Sequence, residues 1–196
     1  MSFSKISICL LLLVAKLSAQ DSLDFRMLKA INKKEHLQFD KSMRLTSQSI
    51  YPVMIVMPTT LYLNGFVNDD KLMMRNGIRS ASAIGLNFLF TAGLKAAFKR
   101  ERPFVQYPSD IIKRDKVGYF SFPSGHTSSA FATATALTLS TKKWYIAVPS
   151  YAYACGVGYS RMRLGVHFPS DVLGGIIVGI GSSLLIWQVD QWIQKQ

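Results

Sequence analysis

Five apolar segments joined by short connections constrain this chain more than any other feature. They cover about residues 50–67, 78–98, 123–140, 144–160 and 172–189. Each lies near the lower limit for crossing a bilayer, roughly 17–20 residues. None alternates apolar and polar residues as a half-buried strand does. Pro52, Pro58 and Pro149 fall inside these segments, where a membrane helix tolerates them. The expectation is an all-α, polytopic membrane bundle of five spans, forming one domain over residues 20–196.

Residues 1–19 read as a secretory signal peptide, with Lys5, an apolar run from Ile6 to Ala15, and Ser18-Ala19 before the cut. The apolar run is too short to span comfortably. Lys16 and Leu17 make the cleavage region imperfect, and an uncleaved segment would add a sixth span. Cys9 follows no small-residue lipobox. Cleavage leaves Cys155 as the one thiol, which excludes an intrachain disulfide and reads as a small buried hydrophobe. Beyond the signal, Leu23, Met27, Leu28 and Ile31 recur at helical spacing among Lys29, Lys33 and Lys34. An N-terminal interfacial helix within residues 21–49 fits this pattern, and a partly solvated connector fits it nearly as well.

The net charge of +12 raises nucleic acid as a partner. Yet the cations fall in short clusters between apolar runs, such as Lys33-Lys34, Lys142-Lys143 and Lys113-Arg114-Asp115-Lys116. The pattern of no known nucleic-acid module is present, and loops of a membrane protein that meets anionic lipid look like this. Charged residues are 17% of the chain, below the soluble average of about 25%. Mean hydropathy is +0.19, high for a soluble domain and mild for a membrane protein. With residue 20 outside, parity places 68–77 inside, Arg100 to Gly125 outside, Thr141–Lys143 inside, Ser160–Asp171 outside and the C-terminus inside. An uncleaved first span gives the same map. The outer loop 99–116 is then strongly basic, against the positive-inside preference.

Three clusters share that outer side. In KAAFKRERP, the spacing puts Lys95, Lys99 and Arg102 on one helix face, ended by Pro103. Alone, they would be a snorkelling basic fringe. In FPSGH, Ser124 is an N-cap before an apolar run, and Gly125 lets a ligand approach free backbone N–H groups. A phosphate fits there, with the titratable His126 beside it. Alone, this is an ordinary cap with an interfacial histidine. In SRMRLGVHFPSD, His167 and Asp171 stand four apart, one helical turn, and Arg161 offers a planar fork of donors. Alone, such a His–Asp pair is more often structural.

Together, K-x6-R-P, P-S-G-H and S-R-x5-H-x3-D resemble the signature of the type 2 phosphatidic acid phosphatase superfamily. That superfamily includes lipid phosphate phosphatases, bacterial class A acid phosphatases and vanadium haloperoxidases. The motifs cover residues 95–171 with no departure at a fixed position. The resemblance implies that Lys95, Arg102 and Arg161 hold phosphate oxygens with the backbone of Ser124 and Gly125. It implies that His126 is the general acid, that His167 is the nucleophile forming a phosphohistidine, and that Asp171 orients His167. It implies no metal, no cofactor and no obligate protein partner. Lys99, Arg100, Lys113 and Arg114 are loop charges in this reading.

The function expected is removal of the terminal phosphate from a lipid phosphate or diphosphate at the outer face of a bacterial-type inner membrane. An isoprenoid diphosphate such as undecaprenyl diphosphate, phosphatidate, phosphatidylglycerophosphate and a lipid A phosphate are the substrates the family suggests. Two alternatives share the fold: a soluble exported acid phosphatase, and a haloperoxidase, disfavoured by the short chain. A lipid-binding or transport protein without catalysis is the third.

Overall fold

Helices occupy every expected apolar segment. A computed structural model describes residues 23–33 and 37–196; the signal peptide expected over residues 1–19 lies outside them. A first helix, α1, covers residues 23–31. It is followed by α2 (Leu37–Gln48), α3 (Ile50–Val67), α4 (Lys71–Phe98), α5 (Pro103–Gln106), α6 (Gly125–Thr141), α7 (Trp144–Arg163) and α8 (Pro169–Ile193). No strand occurs among the described residues.

The connection expected over 68–77 shrinks to three residues. Asp70 caps α4 by accepting the Met73 N–H at 3.0 Å, so the helix begins at Lys71. At its other end, Lys99 takes a left-handed conformation and stops the helix. The expectation of one helix face for Lys95, Lys99 and Arg102 is therefore corrected. Lys99 points into solvent, and Arg102 lies in extended backbone at the start of α5.

Three stretches are long and apolar enough to cross a membrane: Gln38–Val67, Lys71–Gln106 and Pro169–Ile193. Their outward faces carry Ile55, Leu63, Phe66, Leu89 and Ile177, all exposed, as a lipid-facing surface requires. The remaining two of the five expected segments form α6 and α7, which fall short of that measure. Helix α6 is the centre of the bundle, buried continuously from Thr127 to Ala136. Several of its hydroxyls bond back to the helix, as Thr133 does to the Ser129 carbonyl at 2.8 Å. Helix α8 packs on it without a gap: a Cβ at Gly179 would stand 2.3 Å from the Ser128 carbonyl oxygen. Cys155, expected inside, is exposed on α7.

The N-terminal helices are turned unlike the expectation for a surface helix. Leu28 is buried against Ile111 and Phe168, but Leu23 and Met27 are exposed, while Asp24, Asn32 and Asp40 face inward. The polar residues go in because loop backbone and arginines need partners there. The Asn32 side chain accepts from the Ile112 N–H at 2.8 Å and donates to the Arg163 carbonyl at 2.9 Å. Asp40 pairs with Arg114 at 2.8 Å and Arg163 at 2.9 Å. Gly165 completes this clamp at φ +70°, where a Cβ would meet the Ile112 carbonyl oxygen at 2.3 Å.

Candidate active site

The antiparallel run of helices brings the end of α4, the start of α6, the end of α7 and the start of α8 to one end of the bundle. A cavity of about 500 Å³ opens there, and Lys95, Arg102, Gly125, His126, Arg161 and His167 all line it. Six of the eight expected site residues thus meet at one hollow. Ser124 and Asp171 sit directly behind its wall, both fully buried.

Each cation is aimed by backbone or carboxylate partners. The Lys95 ammonium donates to the Phe120 carbonyl at 3.0 Å and that of Ser121 at 3.3 Å. Arg102 donates through Nε to Gly118 at 2.6 Å and through Nη1 to the Val166 carbonyl at 2.8 Å. Arg161 has no exposed surface; its Nη1 reaches the Ser47 hydroxyl at 2.6 Å and Asp115 at 2.7 Å. Among the described residues, its Nε and Nη2 have no partner. Donors left unpaired on a buried guanidinium cost free energy unless an acceptor enters the cavity. An anion with several oxygens satisfies them.

The start of α6 supplies further donors. Ser124 occupies the N-cap position, as expected, but its hydroxyl meets the Thr127 hydroxyl at 2.8 Å instead of capping the backbone. Its N–H donates to the Asp171 carbonyl at 3.0 Å. That amide is therefore committed to joining α6 to α8, and the backbone cradle narrows to the amides after it. The ring of His126 packs edge-on to Tyr51, 5.1 Å between centroids.

His167 and Asp171 do meet, by a different turn from the one their spacing suggested. Helix α8 begins at Pro169, so His167 precedes it, and Asp171 folds back over the helix start. Its Oδ2 accepts the Phe168 N–H at 2.8 Å and the Ser121 hydroxyl, a third-position cap on the first turn. His167 Nδ1 faces the same oxygen at 3.5 Å, at the outer edge of hydrogen bonding, and has no closer partner. On the other side of the ring, Nε2 lies 3.2 Å from Arg102 Nη1. A guanidinium only donates, so Nε2 accepts and carries a lone pair. The neutral ring's proton then belongs on Nδ1, toward Asp171. Burial pushes the His167 imidazole down from its ordinary 6.5 to about 3, against the opposing pull of Asp171. It stays neutral, with the Nε2 lone pair beside Arg102, on the side of the ring away from Asp171.

Several contributors carried no signal of their own in the sequence. Asp115, the partner of Arg161, is one charge within a basic run. Ser121 and Ser47 are ordinary hydroxyls until the fold places them. Arg100, taken as a loop charge, donates to Asp171 Oδ1 at 2.9 Å.

The model of the family described as the PAP2 superfamily matches residues 77–195, which include all eight expected site residues. The chain belongs to the PAP2 superfamily. Among PAP2 and related proteins, it is 26% identical over 160 residues to the undecaprenyl-diphosphatase BcrC of Bacillus subtilis, covering 81% of this chain and 79% of that one. A lipid A 1-phosphatase of Porphyromonas gingivalis is 38% identical over 91 residues, 45% of this chain and 19% of that protein's length. The crystal structure of a transmembrane PAP2-type phosphatidylglycerolphosphate phosphatase from Bacillus subtilis superposes with a TM-score of 0.73. It covers 98% of each chain at 24% identity. Sequence motifs, helix order and apolar surface agree on a membrane-bound PAP2 fold.

Proposed function

We propose that this protein is a membrane phosphatase that removes the terminal phosphate of a lipid phosphate or diphosphate. The carrying observation is the single cavity where three cations, a helix start and two histidines meet. His167 Nε2 attacks phosphorus, forming a P–N bond as the P–O bond to the leaving group breaks, and His126 gives that group a proton. Water then attacks the phosphohistidine with His126 taking its proton, the P–N bond breaks, and phosphate leaves. Asp171 stabilises the charge that appears on His167 in the first step. Lys95, Arg102, Arg161 and the first amides of α6 meet the charge on the transferred group, so the chemistry proceeds without a metal.

A second recess, of about 550 Å³, shares Tyr51, Lys116 and His126 with the first and is lined also by Arg44, Gln48, Lys113, Arg114 and Asp115, so that its cations outnumber its one carboxylate. His167 does not reach it. The recess thus lies on the leaving-group side, and its cations favour a leaving group that is itself anionic. A diphosphate expels a phosphate monoester; a monophosphate expels a neutral alcohol. This supports a lipid diphosphate as the preferred substrate, in keeping with the named activity of the Bacillus undecaprenyl-diphosphatase. The apolar faces of α3, α4 and α8 support a tail that stays in the bilayer, and the span parity read from the sequence supports a site at the outer face of an inner membrane.

The test uses purified protein in detergent with EDTA, offered farnesyl diphosphate and farnesyl monophosphate. The reading expects phosphate release from both, with kcat/KM at least about tenfold higher for the diphosphate, roughly 1.4 kcal/mol of differential transition-state binding. Release that requires added metal, or equal rates on both, contradicts the corresponding part.

A further inference from the structure

Arg100 and Asp24 line neither cavity, yet both are tied to the carboxylate behind His167. Arg100 Nη1 donates to Asp171 Oδ1 at 2.9 Å and to the Ser170 hydroxyl at 2.6 Å. Its Nη2 donates to Asp24 Oδ2 at 3.0 Å, and its guanidinium centre lies 4.3 Å from the Phe168 ring. Asp24 also grips the start of α8: Oδ1 accepts the Ser170 N–H at 3.0 Å, and Oδ2 accepts the Ser170 hydroxyl. Both carboxylates are buried.

The charge balance explains why such an arrangement is needed. Asp171 faces an imidazole that is neutral at rest, so the dyad holds one buried negative charge and no positive one. A buried carboxylate without a counter-ion is costly. Arg100, a guanidinium shared with the Asp24 carboxylate, supplies that charge on Oδ1, which leaves Oδ2 to face Nδ1. Two donors on Oδ2, Ser121 and the Phe168 N–H, and one guanidinium on Oδ1 leave the carboxylate a single orientation. Arg100 is in turn held from its far side by Asp24 and from one face by Phe168.

We propose that Arg100 and Asp24 are positioning residues for the phosphoryl-transfer dyad: Asp24, carried by the N-terminal helix, fixes Arg100, and Arg100 fixes the Asp171 carboxylate against His167. The helix α1 is then a working part of the site rather than a membrane-surface appendage. The competing account is a staple that ties α1 to the bundle and does nothing else. The two differ in what they do to turnover per folded molecule. A staple changes the folded fraction; a positioning pair changes kcat and leaves the phosphate cradle intact.

The inference rests on His167 acting as the nucleophile, so His167→Asn belongs in the same experiment. Full-length protein in detergent is assayed on farnesyl diphosphate, with orthovanadate inhibition and the thermal midpoint measured in parallel. Arg100→Gln is expected to lower kcat by about 10- to 100-fold, by analogy with the loss when a hydrogen-bond partner that orients a metal-ligating side chain is removed. KM and the vanadate inhibition constant should stay within about twofold, since no cavity group has changed. Arg100→Lys keeps the charge and should recover part of the loss. Asp24→Asn should lower kcat by about threefold to tenfold, and Asp24→Asn combined with Arg100→Gln should lose clearly less than the product of the two single losses, because Asp24 acts largely through Arg100 and otherwise only through its grip on Ser170.

Wild-type kcat per folded molecule in Arg100→Gln or Asp24→Asn overturns the proposal. So do multiplying losses in the double variant, or vanadate affinity falling in step with kcat. If Arg100→Gln does not fold, Arg100→Lys and Asp24→Asn are judged by the same criteria. Turnover surviving in His167→Asn would refute the nucleophile itself. Turnover lost there but unchanged in Arg100→Gln and Asp24→Asn would refute the positioning role alone.

Discussion

The two ends of the helix bundle use the same side-chain chemistry to opposite effect. At the end away from the cavity, Asp190 on α8 is met by Arg75 at 2.9 Å, by Arg79 and by the Gln194 amide at 2.8 Å. Arg79 donates to the Asn76 side chain at 3.0 Å and lies over the Trp187 ring at 4.9 Å. One carboxylate is saturated by its neighbours, and an indole covers the guanidinium face. At the cavity end, Lys95, Arg102 and Arg161 face a hollow, and Arg161 leaves two donors unused. Arg79 Nε also lacks a partner among the described residues, but Arg79 lines neither the catalytic cavity nor the basic recess. A surplus of donors becomes a binding site only where there is room for the ligand that completes it.

That contrast is broken most severely at the nucleophile. His167→Asn should lower turnover of farnesyl diphosphate by at least about a thousandfold, as loss of a covalent nucleophile does, with the thermal midpoint of a folded protein. Turnover within tenfold of wild type would remove the cavity's claim to chemistry. Next comes Arg161→Gln, expected to lower kcat/KM by about 100-fold or more, the scale of one lost charge-stabilising donor set. Vanadate inhibition should weaken in parallel, because this residue would touch the anion itself. A loss confined to stability would make Arg161 a structural arginine like Arg79.

The opposite end supplies the reciprocal case. Asp190→Asn should destabilise the fold by about 2 kcal/mol, since it strands two cations, one of them buried, while turnover per folded molecule stays within about twofold. A tenfold fall in kcat would mean that the two ends are coupled. Counted per pH unit, the smallest effect is the pH dependence of stability. His167 is held neutral by burial, with its folded value near 3 and its unfolded value near 6.5. Between those values the unfolded chain binds the extra proton, so stability is complete above pH 6.5 and falls as pH drops toward 3. The wild type should lose up to about 1.4 kcal/mol per pH unit in that window that His167→Asn does not lose. Parallel stability curves for the two proteins would contradict the buried neutral imidazole.

Much of this was legible in the sequence because the signals were local or periodic. Apolar runs of near-bilayer length placed α3, α4 and α8, and the same patterning marked α6 and α7, whose central and shorter positions no hydropathy count reveals. The residues of the cavity were legible because motif spacing is fixed by the turns that carry them. What was not legible depends on long-range pairing. Asp24 lies 147 positions before Asp171 in number, and only the fold shows that one arginine bridges them. The inward turn of Asp24, Asn32 and Asp40 was hidden for the same reason: an apolar stripe predicts which face meets lipid or core, but not that arginines and loop carbonyls wait beneath the polar one. Lys95, Lys99 and Arg102 had the right spacing for one helix face, and a left-handed Lys99 broke the helix between them.

The account stands or falls on a covalent phosphoryl group at one nitrogen. Rapid quenching of the enzyme during turnover of farnesyl diphosphate labelled in its terminal phosphate should trap protein-bound label that is stable to base and labile to acid, as a phosphoramidate is, and peptide mapping should place it at His167. Absence of bound label throughout a resolved pre-steady-state burst, or label of the same kind in His167→Asn, would contradict it.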